Sequence, residues 1–558
     1  MTYVLAEPQL MASVAAEIDA IGAALNAANV AAAAPTSGLT AAAADEVSAA
    51  IADVFGGFGQ EYQALVAQIE AFQNQFQQTL AAAGIAYAET ETAIAVGLQG
   101  ALGLPSVPTA LPTAATIPPF TANDVSLFMG GTGNPFPSQE NIDAANARYV
   151  RANGITQLIQ RLVTPEQGYP LTGVKSLTLD ASVQQGLTIL DNALYDQIVN
   201  QHKTVTVYGI SQSAIISSLE MRNLAAGTSI FGATPPDASQ LNFVLTGNEM
   251  NPNGGQFSRF PNLSLTALGL TFYGPTPSDT IYPTAIYTQE YDGFADFPRY
   301  PLNFVSDLNA VLGIAFVHTQ YAAIPVSHVD AALELPTSPG YTGNTHYFMI
   351  RTENLPLLTP LRAIPVVGPP LADLIQPDLK VIVNLGYGDP AYGFSTSYAD
   401  VWTTFGLFPD VSPGTVVNAL AAGTQQGIHD FSADIQHIIS QPAAVVPPLA
   451  LPAAPDPATT LANLPSPAKV VNAATSIVST DYAVLLPTAD IGLTFLTTVP
   501  AYDAQLFVDQ LAQGNLINAI GYPIAADMGL ATVAGGVELL GIGFALADNV
   551  KQLQSLVP

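Results

Sequence analysis

Along the first eighty residues the apolar positions recur every three or four. Leu10, Val14, Ile18, Ile21 and Leu25 share one helical face, which Pro35-Thr36-Ser37-Gly38 brings to an end. Ile51, Phe55, Tyr62, Leu65, Ile69, Phe72, Phe76 and Leu80 repeat the spacing, with Gln and Ala on the other faces. Two such helices joined by a short turn predict an antiparallel hairpin. Each helix covers only part of the other, so one apolar stripe is left for a partner. Residues 100–122, with Pro105, Pro108, Pro112, Pro118 and Pro119, read as an extended linker. Beyond it, short β-branched runs alternate with helical segments, which predicts an α/β fold with a parallel sheet. The expected strands are Val125 to Met129, Val205 to Tyr208, Phe243 to Thr246, Ala285 to Gln289 and His346 to Ile350. After about residue 440 the chain turns Pro/Ala-rich and then weakly helical, with no chemistry to read from it. The expected organisation is a helical hairpin over 1–93, a linker over 94–122, an α/β domain over 123–440 and a helical tail over 441–558.

Composition narrows the functions open to such a chain. An apolar fraction of 49% in 558 residues supplies core material for more than one folded unit. The formal charge of −30, with 13 Lys plus Arg, repels phosphate backbones and anionic headgroups. Nucleic acid is therefore excluded as a partner, and any membrane contact must be apolar. With no cysteine, disulfides, thiolate catalysis and cysteine-ligated zinc are excluded. The opening Met-Thr-Tyr-Val-Leu-Ala-Glu-Pro lacks the basic and apolar regions of a signal peptide. Met528 to Ala547 is strongly apolar, yet Glu538 and five glycines favour a buried or interfacial helix over a spanning one.

Chemistry is concentrated at residues 208–214, Tyr-Gly-Ile-Ser-Gln-Ser-Ala, between the run Thr204-Val205-Thr206-Val207 and the apolar stretch Ala214-Ile215-Ile216. A strand, a sharp turn carrying Ser211 and a helix make a nucleophile elbow, here Gly-x-Ser-x-Ser instead of the usual Gly-x-Ser-x-Gly. The backbone N–H of Gln212, at the helix N-terminus, faces the space before the hydroxyl and suits an oxyanion. A serine nucleophile needs a histidine base, and that base needs a carboxylate. In the order Ser, acid, His the bases after Ser211 are His318, His328, His346, His429 and His437. The expected strand at 285–289 runs into Glu290-Tyr291-Asp292-Gly293-Phe294-Ala295-Asp296, which sets Asp292 at a strand's carboxyl end, where open α/β sheets gather their sites. A helix over about 303–316 then leads into His318-Thr319-Gln320-Tyr321. His318, His328 and His346 lack the paired spacing of a zinc site, so no metal or other cofactor is expected. Trp402, Phe405, Leu407 and Phe408 suit a lid, an acyl groove or ordinary core.

Residues 1 to about 93 resemble the PE domain of the mycobacterial PE/PPE proteins. The residues that carry this are Tyr3-Val4-Leu5-Ala6-Glu7-Pro8, Ala32-Ala33-Ala34-Pro35-Thr36 and Ala44-Asp45-Glu46-Val47-Ser48-Ala49-Ala50-Ile51. The family's Tyr-x-x-x-Asp/Glu secretion signal has its match in Tyr87 and Glu91. The resemblance implies a PPE-type helical partner and export by type VII secretion to the cell surface or beyond. Residues about 123–400 resemble the PE-PPE domain, on Gly209-Ile210-Ser211-Gln212-Ser213-Ala214, Asn251-Pro252-Asn253-Gly254-Gly255, Tyr291-Asp292-Gly293-Phe294-Ala295-Asp296-Phe297-Pro298 and Leu355-Pro356-Leu357-Leu358. That domain implies a cutinase-like α/β-hydrolase acting on acyl esters, with transfer to another acceptor as a variant. The strand-end Asp followed by His-x-x-Tyr is similar to the cutinase arrangement and points to Asp292 as acid and His318 as base. Asp296 and His346 stand in reserve. Cutinase-like enzymes also place a hydroxyl residue beside the oxyanion, which here implies Thr132 in Met129-Gly130-Gly131-Thr132-Gly133-Asn134-Pro135. One departure is Gly247-Asn248-Glu249, where the family more often has Gly-Asp-Pro. The chain thus reads as a serine esterase or lipase, against the alternatives of an acyltransferase on the same triad or a non-catalytic surface module.

Overall fold

The computed structural model describes residues 113–114, 124–150, 158–440 apart from 174, and 466–556, together with the single helical residues 33, 52, 60 and 63. The hairpin expected over 1–93, with Tyr87 and Glu91, lies outside the described residues apart from those four. The chain forms two compact units, Met1–Thr109 and Ala110–Pro558. Every strand and helix with described bounds belongs to the second.

Eight strands build its sheet: β1 (Thr113–Ala114), β2 (Val125–Phe128), β3 (Leu158–Arg161), β4 (Val205–Ile210), β5 (Leu241–Thr246), β6 (Thr284–Gln289), β7 (Leu333–Glu334) and β8 (Thr345–Ile350). Their order is β1-β7-β8-β6-β5-β4-β2-β3. β7 pairs antiparallel with β1 and with β8, and all other neighbours are parallel. Strands covered on both faces need apolar groups on both, so β2, β5 and β6 are buried along their whole length. The alternation of side chains then sorts them into two cores. Val125, Leu127, Val205, Val207, Phe243, Leu245 and Ile286 face one, under α2 (Leu179–Tyr195) and α3 (Gln212–Ala226). Phe128, Tyr208, Val244, Tyr287 and Phe348 face the other, with Tyr149 and Tyr321.

The five strands expected from the pattern are present. β3 was not expected, because it is a short edge strand whose Leu158 is half exposed, so it lacks the apolar run of its neighbours. Of the apolar residues at 402–408, Phe405 is buried and Leu407 partly buried against the main core. Trp402 Nε1 donates to Ser258 O at 2.7 Å, and Phe405 is buried against Phe260 and Tyr522. Phe405 is thus core that joins the α/β body to its tail, while Trp402 and Phe408 stay exposed.

The tail is more ordered than its composition predicts. After the N-cap Ser466, α7 runs over Pro467–Ala512, and α8 over Leu516–Gln554, joined by a turn in which Gly514 takes φ +75°. Three prolines lie inside these helices, Pro487, Pro500 and Pro523. Apolar residues on nearly every face blur the 3.6-residue period that would have revealed them. Val499, Tyr502, Leu506, Ala525, Ala526 and Leu530 join the main core. α8 comes close at Gly536, where a Cβ would stand 2.5 Å from the Val311 side chain on α4 (Phe304–Phe316). Tyr169 OH donates to Asp490 Oδ2 at 2.5 Å, tying α7 to the body, and Thr488 donates to Glu538, tying α7 to α8. Both helices are long and apolar enough, by length and composition, to cross a membrane.

Candidate active site

Four parallel strands end at one edge of the sheet, and each is followed within a few residues by a polar side chain: Thr132 after β2, Ser211 after β4, Glu249 after β5 and Asp292 after β6. Ser211 occupies the turn with φ 55° and ψ −124°, a conformation that costs a non-glycine residue on the order of 1–3 kcal/mol and marks a strained elbow. The elbow is tight: a Cβ on Gly209 would stand 2.7 Å from Ser213 O, so only glycine fits there. Ser213, in place of the usual last glycine, bonds through its hydroxyl to Ile210 N at 2.8 Å and Ile210 O at 3.0 Å, and so clamps strand to helix. Gln212 opens α3, and a first-turn N–H has no acceptor within its own helix. Its side chain is committed elsewhere, donating to Thr132 Oγ1 at 3.0 Å and Gln167 O and accepting from Ser182 Oγ. Thr132 and the elbow are thereby fixed together. The loop also passes close to the elbow, since a Cβ on Gly131 would lie 3.6 Å from Ser211 Oγ.

His318 begins a short 3-10 turn after α4 and is buried. Its Nδ1 bonds to Asp292 at 2.8 and 2.9 Å. Gly247 makes room for the ring: it takes φ +55°, and a Cβ there would stand 2.9 Å from His318 Cε1. Asp292 is fully buried and also accepts from Phe294 N, Ala295 N and Tyr321 OH, the last at 2.7 Å. Burial works to lower the His318 pKa, but the Asp292 carboxylate, by charge and hydrogen bond, and Glu249 more than offset it, leaving the imidazole above its usual value.

Asp296 does not reach His318. It accepts from Tyr291 N at 3.3 Å, and burial holds its carboxyl well above the usual range despite the charge of Arg259. His346 sits near the amino end of β8, opposite Ala285, bonded to Glu334 at 2.8 Å and stacked on Phe348, remote from the edge that carries Ser211.

Two residues had no role assigned from the sequence. Tyr321, three positions after His318, has its hydroxyl between Asp292 and the Gln289 amide, and the His-x-x-Tyr spacing was its only signal. Glu249 was marked only as part of Gly247-Asn248-Glu249, a departure from the family's usual Gly-Asp-Pro, yet Ser211 Oγ donates to its Oε1 at 3.1 Å.

Two cavities meet this cluster. One, of about 120 Å³, is almost wholly apolar, walled by Phe257, Leu268 and Phe272 and roofed by Ile491, Phe495 and Val499 of α7 and Leu530, Val533, Ala534 and Val537 of α8. Glu249 and Thr132 stand at its polar end. The other, of about 220 Å³, is lined by Ser211, His318, Thr132, Asn134 and Asn141.

Burial raises the pKa of several acids of this unit. It pushes Glu166 and Glu220 up to about 8 and Glu249 to about 7, and it raises Asp307 well above its usual value. A raised carboxyl stabilises the fold fully below its unfolded pKa, near 4.5 for Glu, and loses that contribution as pH rises through its folded value. His318, raised too, acts in the same direction. The melting temperature should therefore fall steadily between about pH 5 and pH 8, by an amount equivalent to several kcal/mol. A flat or rising melting temperature across that window would mean that these acids are ionised in the folded protein.

Two family models match the sequence, the PE family over residues 4–94 and the PE-PPE domain over residues 156–388. The uncharacterized PPE family protein PPE28 of Mycobacterium tuberculosis (strain ATCC 25618 / H37Rv) is 44% identical over 541 residues, 90% of this chain and 81% of that protein. Esterase PE16 of the same strain is 44% identical over 409 residues, 73% of each. Among solved structures, a cutinase-like protein from Cryptococcus sp. aligns at 17% identity over 32% of this chain and 82% of that chain, with a TM-score of 0.22. An overlay so loose adds nothing to the sheet order and the elbow, on which the α/β assignment rests.

Proposed function

The chain belongs to the PE family and carries a PE-PPE domain, and on that premise we propose that it is a serine hydrolase of acyl esters with Ser211 as nucleophile, His318 as base and Asp292 as the orienting acid. The observation that carries this reading is the buried His318–Asp292 pair, 2.8 Å apart, at the sheet edge where the strained elbow presents Ser211. Asp292 holds the proton on Nδ1, so Nε2 is free to act as base. Ser211 Oγ attacks the ester carbonyl, its proton passes to His318 Nε2, and the oxyanion is met by the Gln212 N–H and by Thr132. His318 returns the proton to the departing alcohol, and water then releases the acyl group by the same steps. The apolar cavity under α7 and α8 suits the acyl chain, because burying each methylene contributes about 0.8 kcal/mol. Relatedness to a protein named as an esterase supports the reaction class. PE-family membership supports pairing with a PPE-type partner and type VII export to the cell surface.

Hydrolysis of p-nitrophenyl esters by the full chain and by Ser211→Ala tests this. The wild type should turn over and be labelled at Ser211 by a fluorophosphonate, and the variant should do neither. A folded wild type that neither hydrolyses nor labels would leave a binding module as the function.

A further inference from the structure

Glu249 is a buried carboxyl in contact with the nucleophile, and no step of triad chemistry calls for it. It lies just past β5 at Gly247-Asn248-Glu249, and its Oε1 accepts the Ser211 hydroxyl at 3.1 Å. Its Oε2 and the His318 Nε2 are both buried and, among the described residues, without a hydrogen-bond partner. With Ser211 turned towards Glu249, the base lacks its proton donor.

We propose that Glu249 sets the direction of the Ser211 hydroxyl, holding it in a resting arrangement when ionised and releasing it to His318 when neutral. The inference rests on Ser211 and His318 being nucleophile and base. An ionised Glu249 can only accept, so it competes with His318 for the single Ser211 proton, and a charge-assisted bond wins such a competition. A neutral Glu249 can donate to Oγ instead. The Ser211 hydrogen is then free to turn to Nε2, which supplies the missing partner of the base. During attack that hydrogen moves to Nε2 and on to the leaving alcohol, while Glu249 keeps its own proton throughout. Neutrality also suits the transition state, because a carboxylate in contact with Oγ would oppose the negative charge growing on the substrate oxygen.

The surroundings favour the neutral form at moderate pH. Burial raises the carboxyl to about 7, against the lowering effects of His318 and the Ser211 bond, and Asp292 adds to the rise. The titratable groups facing Glu249 are His318, Asp292 and Glu166. Because Glu249 also stands at the polar end of the apolar cavity, an acyl chain filling that cavity removes still more water from it and favours the releasing form.

The test is the pH dependence of kcat/KM for a p-nitrophenyl ester with the full chain, wild type beside Glu249→Gln. The wild type should lose rate above about pH 7, roughly tenfold per unit, and the variant, neutral at every pH, should hold its rate and overtake the wild type by about pH 8. An unchanged alkaline fall in the variant, or loss of its activity at every pH, overturns the proposal. Should the variant not fold, the rate at which a fluorophosphonate labels wild-type Ser211 reads the same group. It should fall above about pH 7, and a rate that climbs steadily to pH 9 is equally fatal. Absence of labelling at any pH would instead sink the underlying assignment of the nucleophile.

Discussion

Asp292→Asn is expected to lower kcat for ester hydrolysis by about ten-thousand-fold, whereas Asp296→Asn should stay within about tenfold of the wild type. Both acids follow β6, four residues apart and both buried, so the contrast isolates what each carboxyl touches. Asp292 accepts from His318 Nδ1 and so keeps the imidazole in the tautomer whose Nε2 is free to take a proton, as the proposed triad requires. An asparagine there can present its NH₂ to Nδ1 and drive the proton to the wrong nitrogen. It also costs the charge that steadies the imidazolium during attack. The Phe294 and Ala295 amides and the Tyr321 hydroxyl hold residue 292 in place in either case, so the loss should fall on kcat more than on folding. Asp296 is held neutral by burial and accepts one backbone N–H, which an asparagine oxygen accepts equally well. Steady-state kcat with a p-nitrophenyl ester, beside the melting temperature of each variant, checks both. The reverse order of effects would transfer the acid's role to Asp296.

The elements legible from the sequence are those whose physics is local. β4, β5 and β6 are buried on both faces and therefore show unbroken apolar runs, and the elbow announces itself because Gly209 and Ser211 must sit between such a run and a helix. The Asp292 and His318 pairing was legible through its resemblance to the cutinase arrangement, a strand-end Asp followed after one helix by His-x-x-Tyr, and the two side chains lie 2.8 Å apart. Asp296 stayed open because two acids four residues apart are equivalent in a pattern and differ only in what they face. The contacts of Glu249 were invisible for another reason, although its departure from the family's Gly-Asp-Pro was noted: its neighbours Ser211 and His318 lie 38 and 69 positions away, and no short spacing encodes a contact across three strands. In α7 and α8 the prolines and the missing polar face argue locally against long helices. What overrides that argument is packing, with Leu530, Ala526 and Val499 closing the same core that the sheet opens.

That closure predicts the second large effect. Ala534→Phe should shift the preferred substrate towards short acyl chains, with kcat/KM for a long-chain p-nitrophenyl ester falling roughly thirtyfold relative to the acetate ester. Ala534 lines the apolar cavity from α8, with Leu530, Val533 and Val537 of the same helix and Phe495 of α7 also in its lining. A phenyl ring there takes the space of several methylenes, and losing two to three of them at about 0.8 kcal/mol each gives a factor of that size. The acetate ester never reaches the roof, so its turnover should hold and serve as the internal reference for folding and chemistry. Leu539→Gln makes the complementary control, because Leu539 lies on the same helix with its side chain exposed to solvent. If the roof is only structural, both variants leave the chain-length profile unchanged, or Ala534→Phe depresses short and long esters alike. A selective loss of long chains in Ala534→Phe alone identifies the cavity beneath α7 and α8 as the acyl site and gives the last hundred residues a part in choosing the substrate.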